Sequence, residues 1–186
     1  MIAFYLVRHA HADLTPDENR PLSARGYKDA VRVADILKKY PINFIYSSPF
    51  LRAHQTIMPL AFRLSLPVNI ELDLRERRLG NTSTEDFFDC VRETWRNPSF
   101  AYPEGESNAT AQERGIGIVN RLQKELSAGH IVLSTHGNLM ALILQWFDPT
   151  IDFVFWKLLT MPDIYELCLG HEGEVSIRRL WCKNAE

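Results

Sequence analysis

The first nine residues place a strongly apolar segment directly before two basic side chains. Residues 2–7 are six apolar residues rich in β-formers, a pattern typical of a strand that is buried on both faces. Arg8 and His9 follow at once, and a strand of that kind excludes such side chains. The strand is therefore predicted to end near Val7, with Arg8 and His9 at its carboxyl end, where open α/β sheets bind ligands.

Strand and helix patterns alternate along the rest of the chain. Further strands are predicted at residues 44–46, 68–72, 130–135, 164–169 and 175–181, with a hairpin turn between the last two. Helices are predicted after Ser23, from Pro49, over residues 85–95, from Ser107 to about 126, and over residues 139–146. This alternation predicts one α/β domain that spans residues 1–186.

Four residues predict where helices begin and end. Ser23 and Ser107 are suited to cap helix N-termini with their hydroxyl groups. Pro49 is suited to the first helical position, because its missing N–H would have no helical partner there. Pro59 is predicted to end or kink the same helix.

The segment from Arg75 to Gly105 interrupts the alternation. It is rich in aromatic residues, namely Phe87, Phe88, Trp95, Phe100 and Tyr102. We interpret it as an excursion from the sheet that forms a lid-like cover over a site. Its aromatic content suggests an apolar or aryl leaving group for any substrate held beneath it.

Basic and histidine side chains recur where strands end. Besides Arg8 and His9, Arg52 lies in the first turn of the helix after the second strand, and His136 follows a buried strand just before a helix. If these strands are parallel, their carboxyl ends meet at one edge of the sheet. Two arginines, two histidines and helix N-termini at one edge would form a site for a dianion such as a phosphoryl group.

Composition limits the classes of partner. The 186 residues are 46% hydrophobic and 24% charged, with a net charge of −2, which indicates a soluble globular protein. Charges of both signs are interspersed, so no footprint for nucleic acid or for a membrane surface is present.

The cysteines and the apolar segments bear on location. Three cysteines without CxxC spacing favour thiols in a reducing compartment over a disulfide framework. The apolar start is too short for a signal peptide, and no apolar run reaches membrane-spanning length. We therefore expect a cytoplasmic protein.

Five short motifs occur in one order between residues 2 and 138. They are Arg8-His9-Ala10, the decapeptide Ser-Ser-Pro-Phe-Leu-Arg-Ala-His-Gln-Thr at residues 47–56, Glu76 followed four residues later by Gly80, Gly105-Glu106-Ser107, and Thr135-His136-Gly137. Together they resemble the histidine phosphatase superfamily, which includes the cofactor-dependent phosphoglycerate mutases. The resemblance implies a three-layer α/β/α fold with a mostly parallel central sheet.

The resemblance also implies a mechanism and a role for each site residue. His9 would be the nucleophile that attacks phosphorus and forms a phosphohistidine. Arg8, Arg52 and His136, the last as an imidazolium, would bind the phosphoryl oxygens. Glu76 would protonate the leaving oxygen and then activate water. No metal and no cofactor are implied, because these cations supply the charge stabilisation.

Two departures from the family pattern affect the site. Ala10 stands where the family has glycine, which would cause strain if this position needed a positive φ. The asparagine that many members carry after the nucleophile is not clearly aligned, and Thr15 or Asn19 could replace it.

Two alternatives to these assignments stay open at this point. Glu106 is a second candidate for the acid, because it also lies in the loose segment. A metal site built from His9, His11 and His136 with Asp13 is the other alternative, although an i,i+2 histidine pair is weak evidence for it.

The sequence thus favours a metal-independent phosphomonoester hydrolase that acts on a small phosphorylated substrate, with a phosphoprotein also possible. Phosphoglycerate mutase-type transfer is the runner-up, but residues 81–102 contain only Arg92 and Arg96 as basic side chains for a substrate carboxylate. A phosphohistidine or phosphoprotein phosphatase and a catalytically silent phospho-ligand-binding module are further alternatives. The sequence does not indicate an oligomeric state.

Overall fold

The computed structural model describes residues 1–13, 15, 19–82, 86–126, 128–170 and 172–182. Its strands are β1 (Ile2–Arg8), β2 (Phe44–Ser47), β3 (Val68–Ile70), β4 (Gly129–Thr135), β5 (Asp163–Leu169) and β6 (Val175–Arg179). Its helices are α1 (Ala24–Leu37), α2 (Leu51–Leu64), α3 (Phe87–Arg96), α4 (Asn108–Leu126), α5 (Gly137–Phe147) and α6 (Phe153–Leu158), with a 3-10 turn at Leu72–Leu74. Within these described residues no disulfide joins the three cysteines, and no helix is long and apolar enough to cross a membrane.

The strands form one mixed sheet in the order β3-β2-β4-β1-β5-β6. The four strands β3, β2, β4 and β1 are parallel, whereas β5 pairs antiparallel with β1, and β6 pairs antiparallel with β5. The expectation of a mostly parallel sheet is confirmed. The hairpin that joins β5 and β6 includes His171, which lies outside the described residues.

β1 lies at the centre of the sheet and is buried on both faces, as its apolar run predicted. Phe4 and Leu6 pack on one face and Tyr5 and Val7 on the other, and all four side chains are fully buried. Full burial of each such side chain stabilises the fold by about 1.5–3 kcal/mol. β1 therefore anchors both layers of the core.

Helices cover both faces of the sheet and complete three layers. α1 and α2 pack on the face of Tyr5 and Val7, through residues such as Leu37 and Leu60. α4 and α5 pack on the opposite face, where Leu122 and Leu139 are buried in one cluster with Phe4 and Leu6. This confirms the three-layer α/β/α architecture.

Some element boundaries differ from the prediction. α2 begins at Leu51 with Phe50 as its N-cap, so Pro49 precedes the helix and does not occupy its first position. The helix also does not end at Pro59 but continues to Leu64. Proline removes one N–H from the helix interior, and here the packing of Ile57 and Leu60 outweighs that loss.

α6 is a helix that the sequence pattern did not predict. It has six residues, and its N-cap Asp152 accepts hydrogen bonds from the backbone N–H groups of Val154 and Phe155. So short a segment shows too little periodicity to be recognised as a helix. Its cap follows the ordinary Asx preference.

The described residues of the segment from 75 to 105, namely 75–82 and 86–105, lie outside the sheet and near the carboxyl ends of the parallel strands. The rings of Phe87 and Phe88 contact Trp156 of α6, with centroid distances of 6.3 and 6.2 Å. Nε1 of Trp95 donates to the side-chain oxygen of Asn138 on α5 at 3.1 Å. Much of the aromatic content therefore joins this segment to α5 and α6.

Two helical glycines differ in their surroundings. A Cβ at Gly26 in α1 would lie 2.0 Å from the backbone oxygen of His11, in the loop that follows β1. We expect Gly26→Ala to lower the free energy of unfolding by about 1–3 kcal/mol, since this overlap outweighs the helix propensity of alanine. Urea titration of the variant measures the change.

The matched control for this prediction is Gly117→Ala in α4. A Cβ at Gly117 meets nothing within 4 Å. This variant should therefore gain about 0.5–1 kcal/mol of stability from propensity alone. Equal effects of the two substitutions would contradict the close approach of α1 to the loop after β1.

Candidate active site

The predicted site residues meet at one edge of the sheet. Arg8 and His9 end β1, Arg52 lies in the first turn of α2, and His136 is the N-cap of α5 after β4. Nε of Arg52 lies 3.2 Å from Nε2 of His9, and the His9 and His136 rings lie 5.1 Å apart. The structure thus brings all five predicted site residues together, with Glu76 reaching the N-terminus of α5 from the loop after the 3-10 turn.

The imidazole of His9 is held as one neutral tautomer. Its Nδ1 lies 2.7 Å from the carbonyl oxygen of Ala10, and since that oxygen can only accept, Nδ1 carries the proton. Nε2 therefore has a lone pair, which accepts the hydrogen bond from Arg52. Burial lowers the pKa of His9 to about 3; the bond to Ala10 opposes this shift, and the cations of Arg52 and Arg8 add to it.

His136 is fully buried beside His9. Its Nε2 forms a hydrogen bond of 2.8 Å with the hydroxyl of Ser48, and its Nδ1 has no hydrogen-bond partner among the described residues. Burial lowers the pKa of His136 well below its usual value, and the neighbouring His9 and Arg52 add to the shift. Burial thus favours the neutral ring in the free protein, and the imidazolium expected beside a bound phosphoryl group stays a prediction.

Backbone carbonyl groups hold Arg8 at the site. Its Nη1 donates to the carbonyl oxygens of Leu159 and Thr160 at 2.9 and 3.3 Å. Gly137 permits this placement, because a Cβ there would lie 2.9 Å from the guanidinium carbon of Arg8. Nε of Arg8 is buried without a hydrogen-bond partner in the described part of the chain, so it can donate to a bound anion.

An ion pair between Asp163 and Arg179 fixes the loop whose carbonyl groups bind Arg8. The carboxylate of Asp163 is fully buried and accepts from Arg179 at 2.7 and 2.9 Å. It also accepts from the backbone N–H of Thr160 at 2.8 Å. The position of Arg8 therefore depends on residues of β5 and β6 at the far end of the sequence.

The carboxylate of Glu76 lies at the N-terminus of α5. It accepts from the backbone N–H groups of Asn138 and Leu139, both at 3.0 Å, and from its neighbour Arg77 at 2.9 Å. A carboxylate suits this position, because the first N–H groups of a helix have no helical partners and carry partial positive charge. Glu76 is thereby held beside His136.

Glu106, the second candidate for the acid, has a different environment. Both its oxygens accept from Arg114, at 2.7 and 2.8 Å, in a largely buried ion pair. Nη1 of Arg114 also donates to the carbonyl oxygens of Asp73 and Arg75. Glu106 therefore fixes the loop that leads to Glu76, and it does not line the cleft described next.

The site opens into a cleft of about 630 Å³. Glu76, Phe50 and Phe87 line it, together with arginines 20, 52, 75, 77 and 78 and residues 79–81. Two aromatic side chains thus line the cleft among the described residues, whereas five arginines do. The interpretation that the substrate carries an aryl leaving group stays a prediction.

The structure also shows how the departures from the family pattern are accommodated. Ala10 does not have a positive φ, and its N–H donates to the hydroxyl of Thr56 at 2.9 Å, so alanine fits without strain. The side-chain oxygen of Asn19 accepts from the N–H of Leu51 at 3.1 Å, which places Asn19 at the start of α2.

The alternative metal site is not assembled. Nδ1 of His11 forms a hydrogen bond of 2.8 Å with the hydroxyl of Ser23. Within the described ranges, no group of three or more His, Cys, Asp or Glu side chains is placed to hold a metal ion.

Several residues of the site were not singled out from the sequence. Ser48 and Thr56 lie in the quoted decapeptide, and Arg77 follows Glu76, so proximity to a motif could have indicated them. Arg114 and Asp163 carry no such signal, because they act on the site through contacts between distant parts of the chain.

Fold and site together define an α/β protein with a cationic pocket suited to a phosphoryl dianion. A family model, the histidine phosphatase superfamily (branch 1), matches residues 4–176. The chain therefore belongs to the histidine phosphatase superfamily, as its five motifs predicted.

Similar proteins include enzymes that act on phosphate esters. A glucosyl-3-phosphoglycerate phosphatase of Mycolicibacterium vanbaalenii is 31% identical over 134 residues, which are 64% of this chain and 60% of that protein. The chain thus spans less than two thirds of that relative. The mycobacterial glucosyl-3-phosphoglycerate phosphatase solved with inorganic phosphate has a TM-score of 0.73 and 25% identity, covering 96% of this chain and 95% of the other. A phosphoserine phosphatase mutant of Entamoeba histolytica shares the fold, with a TM-score of 0.79 at 17% identity over 97% of each chain.

The neutral state of His9 makes stability depend on pH. The folded pKa of about 3 lies below the ordinary value of 6.5, so the unfolded chain binds more protons between these values. Stability should fall as the pH drops from 7 toward 3, by up to about 1.4 kcal/mol per pH unit for each such histidine. His9→Gln should show a shallower fall over this range in urea titrations at several pH values. Parallel curves for the variant and the wild type would contradict the buried neutral state.

Proposed function

We propose that this protein is a metal-independent phosphomonoester hydrolase that acts through a phosphohistidine intermediate. The observation that carries the proposal is the lone pair of His9 Nε2, held beside Arg52, which lines the arginine-rich cleft. Membership of the superfamily and its phosphatase relatives support it. The relative solved with inorganic phosphate supports a small phosphorylated molecule as the substrate.

The first step transfers the phosphoryl group to His9. Nε2 attacks phosphorus, the P–N bond forms, and the P–O bond to the leaving alcohol breaks. Arg8, Arg52 and Nδ1 of His136 stabilise the charge on the three equatorial oxygens. The carboxylate of Glu76 accepts three N–H bonds at the start. The proton for the leaving oxygen therefore comes from a monoanionic phosphoester, and Glu76 transfers it from the phosphoryl group to that oxygen.

The second step restores the enzyme. The carboxylate of Glu76 accepts a proton from a water molecule as its oxygen attacks phosphorus. The P–N bond breaks, His9 returns to its neutral tautomer, and the proton on Glu76 passes to the departing inorganic phosphate, which restores the carboxylate. The three N–H donors around Glu76 hold its carboxylate in place for this step.

Mutase activity is the second candidate function, because relatives include a probable phosphoglycerate mutase of Cronobacter sakazakii that is 27% identical over 151 residues. The two reactions differ in their products. With 3-phosphoglycerate, a phosphatase releases inorganic phosphate, whereas a mutase produces the 2-phospho isomer. Phosphorus NMR of the reaction distinguishes them.

We expect His9→Ala to lose turnover of p-nitrophenyl phosphate by about 10³-fold or more, since the covalent route is lost. EDTA should leave wild-type turnover unchanged. His54→Ala is the matched control, since His54 lies on α2 with Arg52 but does not line the cleft. Loss of wild-type activity in EDTA, or full activity of His9→Ala, would contradict the proposal.

The role of Glu76 predicts a dependence on the leaving group. Glu76→Gln should slow hydrolysis of an alkyl phosphate by about 10²–10⁴-fold, because the alkoxide needs a proton as it leaves. The effect on p-nitrophenyl phosphate should be much smaller, since p-nitrophenolate leaves without one. Measurement of kcat/KM for both substrates tests this prediction, because this ratio reports the transfer to His9 and not the later attack by water, which is common to both substrates.

Glu106→Gln is the control for the assignment of the acid. It should destabilise the fold by about 3–5 kcal/mol, because it breaks the largely buried pair with Arg114. It should not change the ratio of the two rates. If Glu106→Gln changes the ratio and Glu76→Gln does not, Glu106 is the acid.

A further inference from the structure

The guanidinium of Arg77 is buried, and two of its three nitrogen atoms lack a hydrogen-bond partner in the described part of the chain. The residue is 5% exposed, and its Nε and Nη1 have no hydrogen-bond partner among the described residues. A buried cation without hydrogen bonds is costly, so its nitrogen atoms are normally occupied by an internal partner or by a ligand.

The two nearby carboxylates are engaged by other groups. Glu76 accepts from three backbone N–H groups, and Glu106 accepts from Arg114 through both oxygens. In the described part of the chain, Arg77 forms no ion pair within 4.0 Å, whereas its neighbour Arg78 reaches Glu104 at 3.6 Å. Glu76 and Glu106 thus act on Arg77 by charge at a distance, and neither accepts a hydrogen bond from its Nε or Nη1.

Arg77 lines the same cleft as Arg52 and Glu76. Arg20 lines this cleft too, and its Nε is likewise buried without a hydrogen-bond partner in the described ranges. Neither residue is needed for the phosphoryl group in the steps above. Their N–H groups are available to a different part of the substrate, next to the leaving oxygen that Glu76 serves.

We propose that Arg77, supported by Arg20, binds a second anionic group on the substrate's leaving portion, such as a carboxylate or another phosphoryl group. This inference rests on the proposed phosphatase function and adds a substrate class to it, namely phosphomonoesters of anionic alcohols. Guanidinium N–H groups bind such oxygens by charge-assisted hydrogen bonds, and burial strengthens them.

The test compares substrates that differ in the second group alone. 3-Phosphoglycerate and glycerol 3-phosphate differ by a carboxylate in place of a hydroxymethyl group, and fructose 1,6-bisphosphate and fructose 6-phosphate differ by a phosphoryl group. The wild type should prefer the anionic member of at least one pair by about tenfold or more in kcat/KM, the size expected for a charged hydrogen bond. The pair that shows the preference identifies the anion.

Variants assign the preference to a residue. Arg77→Met should bring the ratio close to one, and Arg77→Lys, which keeps the charge but not the planar donor set, should give an intermediate ratio. Arg178→Met, on the exposed face of β6, is the matched control and should keep the wild-type ratio. Thermal unfolding shows whether each variant folds, and Arg77→Met should be at least as stable as the wild type, since no internal partner is lost.

A wild-type measurement provides a test without any variant. Glycerate should inhibit p-nitrophenyl phosphate hydrolysis more strongly than glycerol does if its carboxylate is the preferred group.

Hydrolysis without preference in either substrate pair, or an Arg77→Met variant that keeps the preference, would overturn the inference but leave the phosphatase function in place. Absence of hydrolysis of every monoester by the wild type would overturn both.

Discussion

The pairing of β1 and β2 with β4 determines where His9, Arg52 and His136 lie relative to one another. Arg8 pairs with Thr135 in the register of β1 and β4, and Ser47 of β2 pairs with Ser134. The ladder extends one step further, because the N–H groups of His9 and Ser48 donate to the carbonyl oxygens of Thr135 and Ser134 at 3.0 and 2.9 Å. A slip of one residue would exchange the faces of β1 and bury its charged end in the core. The register that forms the core therefore also aligns His9 with His136.

Burial at this edge of the sheet sets the chemistry of the ring nitrogens. A solvated histidine beside two arginines could still take up a proton at mildly acidic pH, but desolvation of His9 removes that option above a pH of about 3. The fixed tautomer leaves Nε2 as an electron-pair donor without the aid of a general base. The same burial leaves Nε of Arg8 and Nδ1 of His136 without partners in the described structure, so the pocket holds donors already oriented for an anion.

The sequence predicted those features that local residues determine. The buried strand before Arg8, the cap at Ser23 and the order of strands and helices follow from periodicity and capping, and the motifs indicated where the strand ends converge. Interactions between distant segments could not be predicted in this way. The pair of Asp163 and Arg179 fixes Arg8 through the carbonyl group of Thr160, and no local pattern links these residues. The effect of burial on His136 could not be predicted for a related reason, because that burial arises from the whole fold.

The loop that carries Glu76 and Arg77 is held by backbone contacts on both sides. Asn81 donates from its N–H to the carbonyl oxygen of Pro103 at 2.9 Å, and Glu106 donates to that of Arg78 at 2.8 Å. Arg114 binds the other end of the loop through the carbonyl oxygens of residues 73 and 75. The aromatic side chains nearby pack largely on one another and on Trp156, so they support this loop more than they contact the cleft. Selection among phosphoesters would then depend on charged groups held in place before the substrate binds, which reduces the ordering cost of binding.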